Sequence, residues 1–223
     1  MSLLDLFYPA HCLACGQVLV GQEEHICLEC LATLPRFAVE DGLENDIGRR
    51  MHPRIGVRAA LALWEFSTGN QVQTLLHGLK YGEQPHACRH VGRLLGIAWQ
   101  QNLLPLPDCL VFVPMHPRKE RERGYNQAQL LALGIAEVMD RPVVDMLQKR
   151  IYSESQTRKN RSQRYASIAG MFALKKDTQA DSSTHALLVD DVITTGATLE
   201  RTAETLQQAG ITTFSIAVVA NVK

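Results

Sequence analysis

The sequence predicts an α/β fold, a parallel sheet flanked by helices, with a small metal-folded segment in front of it. Three observations carry that expectation. Ala186-Leu-Leu-Val189 is a short apolar run suited to a strand buried on both faces, and Leu199, Ala203 and Leu206 then recur at helical spacing, so the order is strand, loop, helix. Cys109-Leu-Val-Phe-Val113 repeats the strand pattern and precedes Leu131, Ile135 and Val138, again at helical spacing. Four of the six cysteines stand as two C-x-x-C pairs near the start of the chain. With 223 residues, 46% hydrophobic and 21% charged, there is material for one medium domain and a small appendage.

The pairs are Cys12/Cys15 and Cys27/Cys30, the spacing of a zinc ribbon, and Gly16 supplies the permissive backbone such a knuckle needs. Four thiolates close a tetrahedron and leave no open position, so the expected zinc is structural: a segment this short has little core of its own. Two disulfides are the alternative, which a reducing compartment disfavours. His11 and His25 are read as bystanders, and Cys88 and Cys109 as packing residues. The expected ribbon covers residues 1–36. Residues 37–54 mix glycine, asparagine and charge without periodicity and are expected to be a linker, with the main domain at 55–223.

Val57 to Phe66 reads as a strand. Val72, Leu75, Leu76 and Leu79 mark a helix that Lys80-Tyr81-Gly82 would end, and Val91, Leu94, Leu95 and Ala98 mark the next, with Trp99 on its buried side. Pro105, Pro107 and Asp108 turn the chain into Cys109–Val113, expected as the first strand of the central sheet. Val143 to Leu147 is strand-like. Gly210 is the expected stop of the last helix, before a strand from Phe214 to Ala220. No apolar run is long enough to span a membrane, and Met1 to Ala10 lacks the basic start and long apolar core of a secretory signal, so no membrane insertion and a cytoplasmic location are expected.

Chemistry is concentrated in three places. Asp190-Asp191-Val-Ile-Thr194-Thr195-Gly196-Ala197-Thr198 combines two carboxylates at a strand end with hydroxyls, a glycine and a helix start, a constellation suited to a sugar phosphate. The acids can accept from a ribose diol or face Mg²⁺, which exceeds what a helix cap requires. Met115, His116, Arg118, Lys119, Arg121 and Arg123 follow the Cys109–Val113 strand, where ligands of parallel sheets bind and where basic groups could reach a pyrophosphate; a solvated loop is the bland reading. Residues 149–165 hold six Lys/Arg against one Glu, with Tyr152 and Tyr165 interspersed. That loop could close over a pyrophosphate, or track single-stranded DNA through Arg158, Lys159, Arg161 and Arg164. The formal net charge is zero, so nucleic-acid binding would rest on such a local patch.

The Asp190–Thr198 stretch resembles the phosphoribosyl pyrophosphate (PRPP) signature of the type I phosphoribosyltransferases. With the C-x-x-C pairs, Leu79-Lys80-Tyr81-Gly82, Val113-Pro114-Met115-His116-Pro117-Arg118, Arg123-Gly124-Tyr125-Asn126-Gln127 and Ser155-Gln156-Thr157, the whole chain resembles the ComF/GntX family. The resemblance implies a type I phosphoribosyltransferase-like sheet behind the ribbon. It implies that Asp190 and Asp191 hold the ribose and residues 194–198 the 5′-phosphate, with Mg²⁺ accompanying PRPP. It also implies a bacterial, cytoplasmic protein tied to natural competence or DNA uptake, with DNA-uptake proteins as partners. Tyr125, where phenylalanine is more usual, and Ser167, where asparagine is, depart from the pattern.

Two functions stay open. One is phosphoribosyl transfer to an unidentified acceptor, with Arg118 and Lys119 neutralising the leaving group and Asp190 and Asp191 fixing the ribose. The other is a non-catalytic single-stranded DNA-binding protein with PRPP as regulator or not used at all. Thr194 replaces the additional Asp of purine-salvage relatives, which disfavours that activity. Amide transfer from glutamine is disfavoured too, since the chain has no glutaminase domain with an N-terminal cysteine nucleophile.

Overall fold

The computed structural model describes residues 9–39, 42–81, 84–150, 170–176 and 181–222. In chain order the elements are α1 (Leu28–Thr33), α2 (Asp46–Ile55), β1 (Val57–Phe66), α3 (Gln71–Tyr81), α4 (Pro85–Gln101), β2 (Cys109–Phe112), α5 (Pro117–Arg123), α6 (Gln127–Met139), β3 (Leu147–Lys149), β4 (Phe172–Leu174), β5 (His185–Ile193), α7 (Ala197–Gln207) and β6 (Thr213–Val222). The central sheet runs β1-β6-β5-β2, all parallel, and β3 pairs with β4 in a separate antiparallel ladder. Ala186 to Val189 are fully buried, as a strand covered on both faces requires. Val189 is paired with Phe112 on one side and Ala217 on the other, which brings the ends of three strands to one rim.

Three expectations change. Val57–Phe66, not Cys109–Val113, is the first strand of the sheet. The presumed linker 37–54 contains α2: the Asn45 side chain accepts from Gly48 N at 2.9 Å, its amide donates to Ala60 O at 2.8 Å, and Gly56 closes the helix at φ 64°. Ile47, Met51 and Ile55 are its buried stripe, too sparse, with Gly48 and Pro53 among them, to announce a helix. In place of a strand at 143–147, the ladder begins at Leu147, and Val143 makes a single bridge to Leu110 that lengthens the β2 edge.

The ribbon is bound to the main domain through β1. Glu65 N donates to Pro35 O at 2.8 Å and Phe37 N to Leu63 O at 3.1 Å, so residues 35–37 pair with the otherwise open edge of the sheet. Leu13 lies against Gly78 of α3, where an added Cβ would come within 3.1 Å of Leu13 Cδ2.

On the other side α4 and α6 cross so closely that a Cβ on Gly134 would collide with the Arg89 carbonyl, and one on Gly92 with the Leu131 carbonyl. Both obstacles are backbone, which cannot rotate away. Gly134→Leu should therefore force the helices apart and cost about 3 kcal/mol or more. Thermal unfolding tests this, and an unchanged midpoint would refute the close crossing.

Candidate functional site

The two acids sit inside the end of β5, not after it. Asp190 is in register with Val218 and its own Oδ1 accepts from Asp191 N at 2.8 Å. Side chains alternate along a strand, so the neighbours face different surroundings. Asp191 meets Lys80 of α3, Nζ to Oδ2 at 2.8 Å. Asp190 is held protonated up to about pH 8, first by burial and then by the charge of Asp191 beside it.

After β5 the chain turns at Gly196, φ 80°, into α7. A side chain there would meet both a left-handed backbone and the sulfur of Met51, so glycine is required twice over. Arg50 and Arg54 of α2 donate to the carbonyls of Thr194 and Thr195, each at 2.6 Å.

The basic stretch after β2 is a short helix where a loop was expected. Pro117 opens α5, His116 Nδ1 accepts from Arg118 N at 3.1 Å, and Gly124 at φ 87° ends it. The segment from Arg123 to Gln127 then ties three elements together. Arg123 donates to Gln127 Oε1 at 2.6 Å and lies 5.0 Å from the centre of the Tyr81 ring. Tyr125 donates to Leu79 O at 2.9 Å, so the hydroxyl that distinguishes it from phenylalanine fastens the end of α3. Asn126 caps α6 through Ala128 N at 3.0 Å while donating to Val113 O at 3.1 Å.

These elements enclose a cleft of about 710 Å³ above the carboxyl ends of the strands. Asp190, Asp191, Thr194, Thr198, Met115, Lys119 and Arg123 line it together. Arg118 instead lies along α5 with Glu122, Nε to Oε1 at 3.1 Å; Thr195 and Gly196 form the turn between the lining residues Thr194 and Thr198, and Ala197 opens α7. Arg158, Lys159, Arg161 and Arg164, with Ser155–Thr157, fall outside the described residues. Lys80, Tyr81 and Lys149 also line the cleft. Lys149 opens the basic run expected to reach a pyrophosphate, whereas Lys80 and Tyr81 read in the sequence as a helix end and as part of the Leu79–Gly82 motif. Burial pulls the Lys149 ammonium below its usual range, while Asp190 opposes that.

In the ribbon, the sulfurs of Cys12, Cys15, Cys27 and Cys30 all lie within 4.8 Å of one another. Cys15 and Cys27 sulfurs are 3.7 Å apart, far from a disulfide but matching the edge of about 3.8 Å that a Zn–S bond of about 2.3 Å gives a tetrahedron. Cys27 N points at Cys12 Sγ (3.3 Å) and Cys30 N at Cys27 Sγ (3.4 Å), a donor set that supports thiolates. Burial raises the Cys12 thiol, yet backbone donors led by Cys27 N bring it down to about 7. The residues present fit a structural zinc, with all four positions taken by protein. His11 is occupied by Gly16 O at 3.0 Å.

Residues 3–41 match the double zinc ribbon domain and residues 126–223 the phosphoribosyl transferase domain. The chain is 30% identical over 142 residues to competence protein F of Haemophilus influenzae, covering 61% of this chain and 62% of that one. It is 30% identical over 155 residues to DNA utilization protein YhgH of Escherichia coli, covering 64% and 63%. With competence protein ComFC of Bacillus subtilis it shares 38% over 101 residues, covering 45% and 39%. The match spans less than two thirds of each relative's length. A solved structure of the allosteric regulatory enzyme of purine biosynthesis superposes with a TM-score of 0.44 at 18% identity, over 64% of this chain and 30% of that one. Among the described residues no helix is long and apolar enough to cross a membrane.

Proposed function

We propose that this chain, which belongs to the ComF family, binds PRPP with Mg²⁺ in the cleft above β5 and serves the uptake or use of DNA in the cytoplasm. The observation that carries the reading is the polarity of one cleft. A paired-acid strand end and a hydroxyl-rich turn stand beside Lys119, Arg123 and Lys149, so a ribose 5-phosphate and a pyrophosphate would each meet matching groups.

In this reading the Thr194–Thr198 turn and the start of α7 take the 5′-phosphate, and Asp190 and Asp191 accept from the ribose hydroxyls. Lys119 and Arg123 offset the charge of the pyrophosphate. Mg²⁺, held by the same acids and the diphosphate, would add charge neutralisation at the leaving group. Lys80, paired with Asp191 and lining the same cleft, would add a further positive charge toward a phosphate. The names of the relatives support a role with DNA, and the acceptor of any phosphoribosyl transfer is to be sought among nucleophiles that fit the cleft.

Calorimetric titration of PRPP with Mg²⁺ tests the reading. Asp190→Asn/Asp191→Asn should lower affinity at least about thirtyfold, given a charge-assisted contact of about 1.5–3 kcal/mol from Asp191 and a neutral one of about 0.5–1.5 kcal/mol from Asp190. Folded, zinc-loaded wild-type protein that fails to bind PRPP would remove the reading and leave single-stranded DNA binding as the one to pursue.

A further inference from the structure

We infer that α2 is the backing of the phosphate turn, with Arg50 and Arg54 as positioning residues for a phosphate dianion; this rests on the PRPP reading. Their guanidinium groups hold the carbonyls of Thr194 and Thr195 at 2.6 Å each. All described peptides are trans, so in each peptide plane the carbonyl and the following N–H point in opposite directions. Drawing those two carbonyls toward α2 therefore turns Thr195 N–H and Gly196 N–H away from it. Thr194 and Thr198, on either side of this turn, line the cleft. The donors are thus aimed before any ligand arrives.

The two arginines are themselves held in place. Arg50 Nη2 donates to Asn221 Oδ1 at 2.6 Å and sits 3.5 Å from Asp46, which accepts from Asn221 Nδ2 at 3.0 Å. Arg54 lies 3.8 Å from Glu200 in the first turn of α7. Met51, one turn before Ile55 on the same helix, packs where a Gly196 side chain would be. Spacing of i, i+4 puts Arg50 and Arg54 on one face of α2, so each reaches one of two successive carbonyls. Neither is among the residues that line the cleft. They act through the turn they hold, and their charge behind it favours the dianion.

The test uses full-length, zinc-loaded protein and ribose 5-phosphate as probe, with affinity from calorimetry and the protonation of bound phosphate from ³¹P NMR across pH. In the wild-type protein the bound phosphate should lose its second proton at lower pH than the free ester. Arg54→Met should weaken binding about tenfold and return that titration toward the free value, as losing one charge-assisted bond implies. Arg54→Lys, which keeps the charge and one donor, should restore most of both. Arg50→Met should behave like Arg54→Met, and near-wild-type unfolding of the Arg54 variants separates positioning from collapse. Wild-type affinity and wild-type phosphate titration in both Met variants would overturn the inference alone, as would Arg54→Lys no better than Arg54→Met. Absence of ribose 5-phosphate and PRPP binding in the wild-type protein would overturn the PRPP reading and this inference with it.

Discussion

Zinc chelation, or Cys27→Ser, unfolds the ribbon while leaving the parallel sheet in place. The reason is the imbalance between metal and core: among the described residues of the ribbon, Ala14, Ile26, Leu34 and Phe37 are the buried apolar side chains beyond its cysteines. Zinc bound to four thiolates contributes on the order of 10 kcal/mol or more to a domain of this size. Its loss should also be felt across the boundary. Residues 35–37 would leave β1, and Leu13 would leave Gly78 on the helix that carries Lys80. Amide hydrogen exchange gives the readout: fast exchange across residues 10–37 and new exposure at Glu65, with β5 still protected. Protection unchanged after zinc is removed would mean that packing holds the ribbon.

Asp190→Asn stabilises the ligand-free protein, and does so increasingly as pH rises from 5 to 8. The native carboxyl is held at about 8 by burial and by Asp191, whereas in the unfolded chain it ionises near 3.9. Between those values the native state carries a proton that the unfolded state has lost, so wild-type stability falls as pH rises through the window. Asparagine keeps the uncharged form throughout. Because the carboxyl is only partly buried and Lys80 is near, the gain should be on the order of 2 kcal/mol at pH 8, several degrees in melting temperature. Paired melts without divalent ions check it, and equal shifts at pH 5 and pH 8 would refute the raised carboxyl. The same variant should bind PRPP poorly, since the acid that costs stability is the one proposed to hold the ribose.

The parts legible from sequence were those written in local pattern. Apolar runs placed β2, β5 and β6, helical spacing placed α3, α4, α6 and α7, and the paired cysteines gave the ribbon. Asp190, Asp191, Thr194 and Thr198 stood out because acids and hydroxyls at a strand end have little structural use. What escaped was set by distant partners. The polar surface of α2, broken by Pro53, hides a helix whose reason is a glycine in another turn. Lys80 looks like a helix-end lysine until β5 brings Asp191 to it. Residues 35–37 carry no strand pattern, because only their backbone is used against β1.

Asp190 and Asp191 are neighbours on one strand, locked between Val218 and the start of the turn. A strand inverts its faces with every residue, so a single insertion or deletion between Ala186 and Asp191 would exchange the two acids' surroundings, sending one toward Lys80 in the other's stead. Point changes along β5 can be absorbed one side chain at a time. A change of length cannot. Descent in this part of the chain is therefore expected to proceed by replacement alone, with gain and loss of residues confined to the connections, and comparing β5 lengths among chains that keep both acids would test it.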